Sequence, residues 1–184
     1  DEVELKAYAL DNEVIKQIEN EEIESGLNTE ANRKEAWTEE DDAYFVYGVQ
    51  KHAGLPVFHE FMNVSRQLAY DTPDSSAIQV IYSTRGVESV LYQDVMYDFS
   101  DNNEEKLQLR QFEDIAKVVE NKYGNLLNES MYEVTRAKLY ERVFLNQNQQ
   151  LEAAPMWYFE ILEDNSTVSV TLVDAVTGEE IYLE

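Results

Sequence analysis

Hydrophobic positions along the chain change period several times, and the changes mark its elements. The C-terminal stretch is the clearest. Residues 156–162 (Met-Trp-Tyr-Phe-Glu-Ile-Leu) are rich in the aromatic and branched side chains that a pleated surface favours. A turn cluster, Glu-Asp-Asn-Ser at 163–166, separates them from a second strand. There Val168, Val170 and Leu172 alternate with Ser169 and Thr171. Thr177-Gly178 supplies a residue able to take positive φ, and a last short strand begins at Ile181. Upstream, strands are expected at 43–50, 55–64, 77–83, 87–97 and 131–145. Turn signals fall at 51–54, 71–74 and 84–86, and Pro56 stands at a strand start, where a missing donor is tolerated.

A period near 3.6 replaces the alternation twice. Leu109, Phe112, Ile115, Ala116, Val119 and Tyr123 recur at three and four, which predicts a helix over 107–123 with one apolar face. Glu104 and Glu105 suit its positive end, Lys117 and Lys122 its negative end, and Gly124 closes it. A shorter helix is expected over 11–25, with Asp11 as N-cap, Glu13 in the first turn, a stripe of Val14, Ile15 and Ile18, and Gly26 as the stop. Residues 1–8 read as a charged lead-in and 27–42 as a solvated loop ending in four acids.

The order helix then four strands occurs twice, and each half carries a proline at its second strand, Pro56 and Pro155. The expected fold class is therefore α+β: two tandem helix-plus-antiparallel-sheet units, 1–98 and 99–184, with one compact fold as the alternative.

Residues 155–161 (Pro-Met-Trp-Tyr-Phe-Glu-Ile) followed by 173–181 (Val-Asp-Ala-Val-Thr-Gly-Glu-Glu-Ile) resemble the end of a PepSY-like module, in which a strand of this type pairs with one ending in D-A-x-T-G-E-I. The stretch is also similar to extracytoplasmic domains of Gram-positive regulatory proteins of the YycH/YycI type and to related envelope lipoproteins. The detailed match covers about thirty residues. The resemblance implies tandem PepSY-like units and an extracytoplasmic setting in a Gram-positive envelope, membrane-anchored or secreted. It also implies a non-enzymatic regulatory role through contacts with another envelope protein or peptide. The motif is structural and brings no site residues with it.

Composition narrows the classes. Thirty-eight acidic against 14 basic residues give a net charge of −24. A phosphate backbone or an anionic membrane surface would be repelled, so membrane association is expected only through an anchor outside this chain, and a basic partner is the complementary one. Cysteine is absent, which removes disulfides, thiolate metal sites and cysteine nucleophiles. No apolar run is long enough to span a bilayer as a helix.

Candidate chemistry is sparse. The two histidines, His52 and His59, fall short of a zinc ligand set. The acidic runs lack the spacing and glycine of a calcium loop. No serine sits in a G-x-S-x-G elbow. Neither a cofactor nor a catalytic group is expected. The one basic concentration is Arg136, Lys138 and Arg142, on one face of the strand at 131–145. Residues 143–184, by contrast, carry acids and neither Lys nor Arg. These three cations either pair with acids such as Glu160 or Glu163 on a neighbouring strand or form an anion-binding strip. The alternatives to a binding module are thus a small-anion carrier built on that strip and an acidic envelope hydrolase with a carboxylate pair.

Overall fold

A computed structural model describes residues 2–26, 28–59, 76–92, 95–100 and 106–182. The turn signal at 71–74, the strand expected beyond residue 59 and the acids at 101–105 lie outside the described residues. The chain divides into two compact units. One comprises Asp1–Lys51 with His59–Asp98, the other His52–Phe58 with Phe99–Glu184.

The first unit holds β1 (Glu2–Leu10), α1 (Asn12–Glu24), β2 (Ala43–His52, its last residue in the other unit), β4 (Ile78–Ser83) and β5 (Gly86–Tyr92). The lead-in is a strand: Glu2 to Leu10 pair antiparallel with Lys51 to Ala43 over nine residues. β2 pairs with β4, and β4 with β5, both antiparallel, with a register shift at Ile81/Tyr82. α1 starts where expected. The Asp11 carboxylate accepts from the Val14 N–H at 2.9 Å, and Asp42 accepts from the Asn12 N–H at 2.9 Å, so two of the open donors of the first turn are satisfied. Gly26, at φ +78°, follows the helix end. Val14 and Ile15 of α1 pack on Leu10, Phe45, Tyr47 and Val49, on one face of the sheet.

The second unit holds β3 (Leu55–Phe58), α2 (Phe112–Gly124), β6 (Tyr132–Leu145), β7 (Leu151–Glu163), β8 (Thr167–Asp174) and β9 (Glu180–Ile181). β6, β7, β8 and β9 form antiparallel pairs in that order. α2 buries Ile115 and Val119 against Phe159, Ile161 and Val173, with Tyr123 and Trp157 packed around them. The predicted stripe faces the sheet, but the helix begins at Phe112, so Leu109 lies before it.

The expectation of two tandem helix-plus-antiparallel-sheet units is overturned. Among the described residues nine strands form a mixed sheet, and there are two α-helices of 13 residues each. The sheet is mixed because β3 runs parallel to β6, Val57 opposite Glu141 and Phe58 opposite Arg142. The hairpin expected across 51–54 is present, with β3 next to β2 in the strand order, but the other neighbour of β3 is β6, more than eighty residues away. Local alternation carries no information about which distant strand will be paired.

The turns follow their residues. Ala53 and Gly54 take φ +48° and +82°, and Asp164 and Asn165 +49° and +56°, the left-handed pairs that tight hairpins require. Gly178 has φ +73°, and a β-carbon there would meet Arg110 Cδ at 3.1 Å. Gly178→Ala should therefore lose about 1–3 kcal/mol by denaturant unfolding. It should lose more than Gly26→Ala, where φ is +78° but nothing lies within 4 Å. Equal losses at the two glycines would show that Arg110 gives way freely.

Candidate interaction surface

The sheet of the first unit has two unlike faces. Cross-strand partners in an antiparallel ladder share a face, so the register can be read as rows across the strands. On the α1 side stand Tyr8, Phe45 and Ile81, part of the helix-covered core. On the other side three rows cross all four strands: Ala9–Tyr44–Tyr82–Val87, Ala7–Val46–Val80–Val90 and Leu5–Gly48–Ile78–Tyr92. None of these twelve positions is charged. An antiparallel sheet with one face on a helix normally turns polar residues to water on the other.

Exposure on this face is high. Leu5 is 71% exposed, Tyr92 65%, Val87 62%, Tyr44 54%, Val90 53% and Tyr82 49%. The one glycine keeps the surface continuous. A β-carbon at Gly48 would meet Ile78 Cγ2 at 2.9 Å and Val3 Cγ1 at 3.1 Å, so the neighbouring apolar side chains close over the bare backbone. Exposed tyrosines such as Tyr44, Tyr82 and Tyr92 are among the side chains enriched where proteins meet.

The margins are polar and anchored. At one end Gln50 exchanges two hydrogen bonds with the Tyr97 backbone, donating to its carbonyl at 2.5 Å and accepting from its N–H at 3.0 Å. Ser76 Oγ donates to the Gly48 carbonyl at 2.8 Å. At the other end Thr84, in the β4–β5 turn, donates to the Glu40 carbonyl at 3.4 Å, which sets the exposed Glu39 and Glu40 beside the Tyr82–Val87 corner. Behind them the buried Asp41 carboxylate accepts from Lys34 Nζ, from the Thr38 N–H at 3.0 Å and from Arg85 Nη1 at 3.0 Å. These contacts hold its carboxyl far below the usual carboxylate range, Lys34 contributing most. Arg85 is drawn the same way by Glu88, Nε to Oε1 at 2.7 Å. The cations at this margin are thus engaged, and the exposed charge is acidic.

The predicted basic strip is elsewhere and does not converge. Arg136 lies opposite Glu160, Lys138 opposite Tyr158 and Arg142 opposite Ala154, on the sheet face away from α2. Each cation has its own aromatic neighbour: Arg136 over Tyr158 at 5.5 Å, Lys138 over Tyr140 at 5.3 Å and Arg142 over Phe144 at 5.0 Å. Arg136 also approaches Glu160 at 3.9 Å. The contacts are those of cations resting on a sheet, their stems and planes covering aromatic surface.

The histidines fall in different units. His59 is buried and stacks on Tyr97, ring centroids 6.0 Å apart. His52 stacks on Phe99 at 4.0 Å, its Nδ1 3.5 Å from Glu141 Oε1. Burial pushes the Glu141 carboxyl up, while His52 pulls it down. This is a histidine–carboxylate contact, whereas a glycosidase-type site needs two carboxyls. Among the described residues no three His, Asp or Glu side chains group to hold a metal, and no helix is long and apolar enough to cross a membrane. Composition and alternation hinted at strand faces, but the apolar face was missed because its rows exist only once four strands are in register.

No family model and no curated protein matches the chain. The PepSY-like resemblance therefore rests on the residues at 155–181 alone. Among solved structures the chain is similar to an uncharacterized protein from Eubacterium rectale ATCC 33656, with 18% identity and a TM-score of 0.63. The likeness covers all of this chain and 51% of that one, so this chain spans about half the length of its structural neighbour. At this identity the likeness is one of fold.

Proposed function

We propose that this chain is a non-enzymatic, extracytoplasmic binding module of regulatory type, working through protein–protein contacts on the uncharged sheet face of its first unit. The partner is a protein segment with apolar residues at its centre and basic residues around them. One observation carries the reading: twelve uncharged positions in three rows, six of the large side chains about half exposed or more. Monomeric proteins rarely expose apolar patches of this continuity without a use for them. The basic character follows from the net charge of −24 and from Glu39 and Glu40 at the margin, which favour cations and repel a second acidic surface. The pairing of Arg136 with Glu160 supports a structural role for the basic strip. The extracytoplasmic setting is supported by the resemblance at 155–181.

The test uses a defined probe, the peptide acetyl-Lys-Val-Lys-Tyr-Lys-Val-Lys-amide, and its glutamate counterpart, followed by fluorescence anisotropy. The lysine peptide is expected to bind and the glutamate peptide not. Tyr82→Lys combined with Val90→Lys should weaken binding at least about tenfold, a loss of about 1.4 kcal/mol or more. Gln17→Lys, on exposed α1, adds one positive charge without touching the face and should change it little. If the face variant and Gln17→Lys bind alike, or if salt alone abolishes all binding, the interaction is diffuse charge attraction and the face is not the site.

A further inference from the structure

We infer that the partner segment binds in extended form as an added strand along β5, continuing the apolar rows that end in Val90 and Tyr92; the inference rests on the reading above and specifies how the face is used. The two edges of this four-stranded sheet are built differently. β1 carries Glu2, Glu4 and Lys6 along nine residues, and Glu4 is bridged to Lys51 at 2.5 Å. Charges of this kind keep an edge from pairing with another chain. β5 has a single charged residue, Glu88, and it is tied back to Arg85 and to Ser83 at the register shift.

Beyond that shift Ser89, Leu91, Val90 and Tyr92 run in regular register with Ile81, Gln79, Val80 and Ile78. β4 is the one ladder partner of β5 among the described residues. Val87, Glu88, Ser89, Val90 and Tyr92 are all exposed, on both faces of the strand. Beyond the shift, residues 89–92 form an uncharged, regular edge at the border of an apolar face, which offers a partner backbone hydrogen bonds and side-chain contacts together, the two elements of recognition by strand addition.

The geometry also states the sequence class. In a strand beside β5, alternate side chains would extend the rows ending in Val90 and Tyr92, and these must be apolar, while the row ending in Val87 lies across the register shift. The intervening side chains would point to the α1 side. That side of the sheet is the one on which α1 packs, and α1 carries Glu13, Glu19, Glu21, Glu22 and Glu24 against Lys16. Lysine or arginine fits those positions. A second copy of this chain is the competing occupant, and a charge of −24 on each copy opposes it.

Backbone N-methylation of the lysine peptide tests the mode without altering the protein. In an extended peptide the valine and tyrosine N–H groups point to one edge and the lysine N–H groups to the other. One set methylated should lower affinity at least about tenfold, and the other should leave it within about twofold. Hydrogen exchange of the β5 amides directed away from β4 should slow in the complex. If both methylated peptides bind like the parent, or both lose binding equally, strand addition is wrong. Sensitivity to Tyr82→Lys with Val90→Lys would then still uphold the face itself. A parent peptide that fails to bind removes the underlying proposal. A chain that sediments as a dimer and is split by the peptide overturns the inference in favour of a second copy on the same edge.

Discussion

Phe159→Ala is expected to destabilise the second unit by about 3–5 kcal/mol, the range for removing a fully enclosed aromatic ring. Phe159 is 1% exposed and sits in the cluster with Ile115, Val119, Ile161 and Val173 that attaches α2 to the sheet. Its ring also lies 6.2 Å from those of Phe112 and of Trp157. Truncation removes the apolar area and leaves a cavity that β7, paired on both sides, cannot collapse to fill. The loss should lower the thermal midpoint by roughly 6–20 °C at this chain length. The two tryptophans make the measurement local: Trp157 reports the unit that holds Phe159, and Trp37 the other. The Trp157 signal should shift in a Trp37→Phe background. Val170→Ala, on the opposite sheet face and 45% exposed, should move it by no more than about 0.5 kcal/mol. Equal effects at the two positions would mean that the packing of α2 on the sheet contributes little.

Asp41→Asn is expected to remove a pH-dependent part of the first unit's stability. The carboxylate is held far below its usual range, first by Lys34, then by the Thr38 N–H and Arg85. A carboxyl whose pKa falls on folding adds stability that is fully present above its unfolded value. That stability is lost as pH falls through the lower folded value. The unfolded value for aspartate is about 3.9. The gap between wild type and Asp41→Asn should therefore be constant from about pH 5 to 8 and shrink as the pH is taken below about 4. Denaturant unfolding followed at Trp37 reads it. Lys34 and Arg85 are 38% and 55% exposed, so part of the gap should also close in high salt. A gap unchanged between pH 7 and pH 3 would show that Asp41 acts through packing and its neutral hydrogen bonds.

The helices and turns were legible because their causes are local. Asp11 caps α1 through a bond to a residue three positions away, and the apolar stripe of α2 recurs within its own thirteen residues. The left-handed pairs at 53–54 and 164–165 and the positive φ of Gly178 depend on residues adjacent in the chain. β1 shows the boundary of such reasoning. Val3, Leu5 and Ala7 alternate with Glu2, Glu4 and Lys6, yet a stretch this charged is stable as a strand only beside β2. The basic strip was legible as a set of residues on one strand face. Its engagement, with Glu160 for Arg136 and with aromatic rings for all three, required the neighbouring strand.

By itself the sequence determined the two helices, the tight turns, most strands and the acidic charge that favours a basic partner. Each depends on residues close in the chain or on composition alone. Tertiary structure decided the parallel pairing of β3 with β6, which makes the sheet mixed, and the uncharged face that rows from four strands build. It also decided the contrast between a charged edge at β1 and a bare one at β5. These depend on register between segments tens of residues apart. A shift of one residue in that register would turn every apolar side chain to the opposite face, while leaving the local pattern of the sequence unchanged.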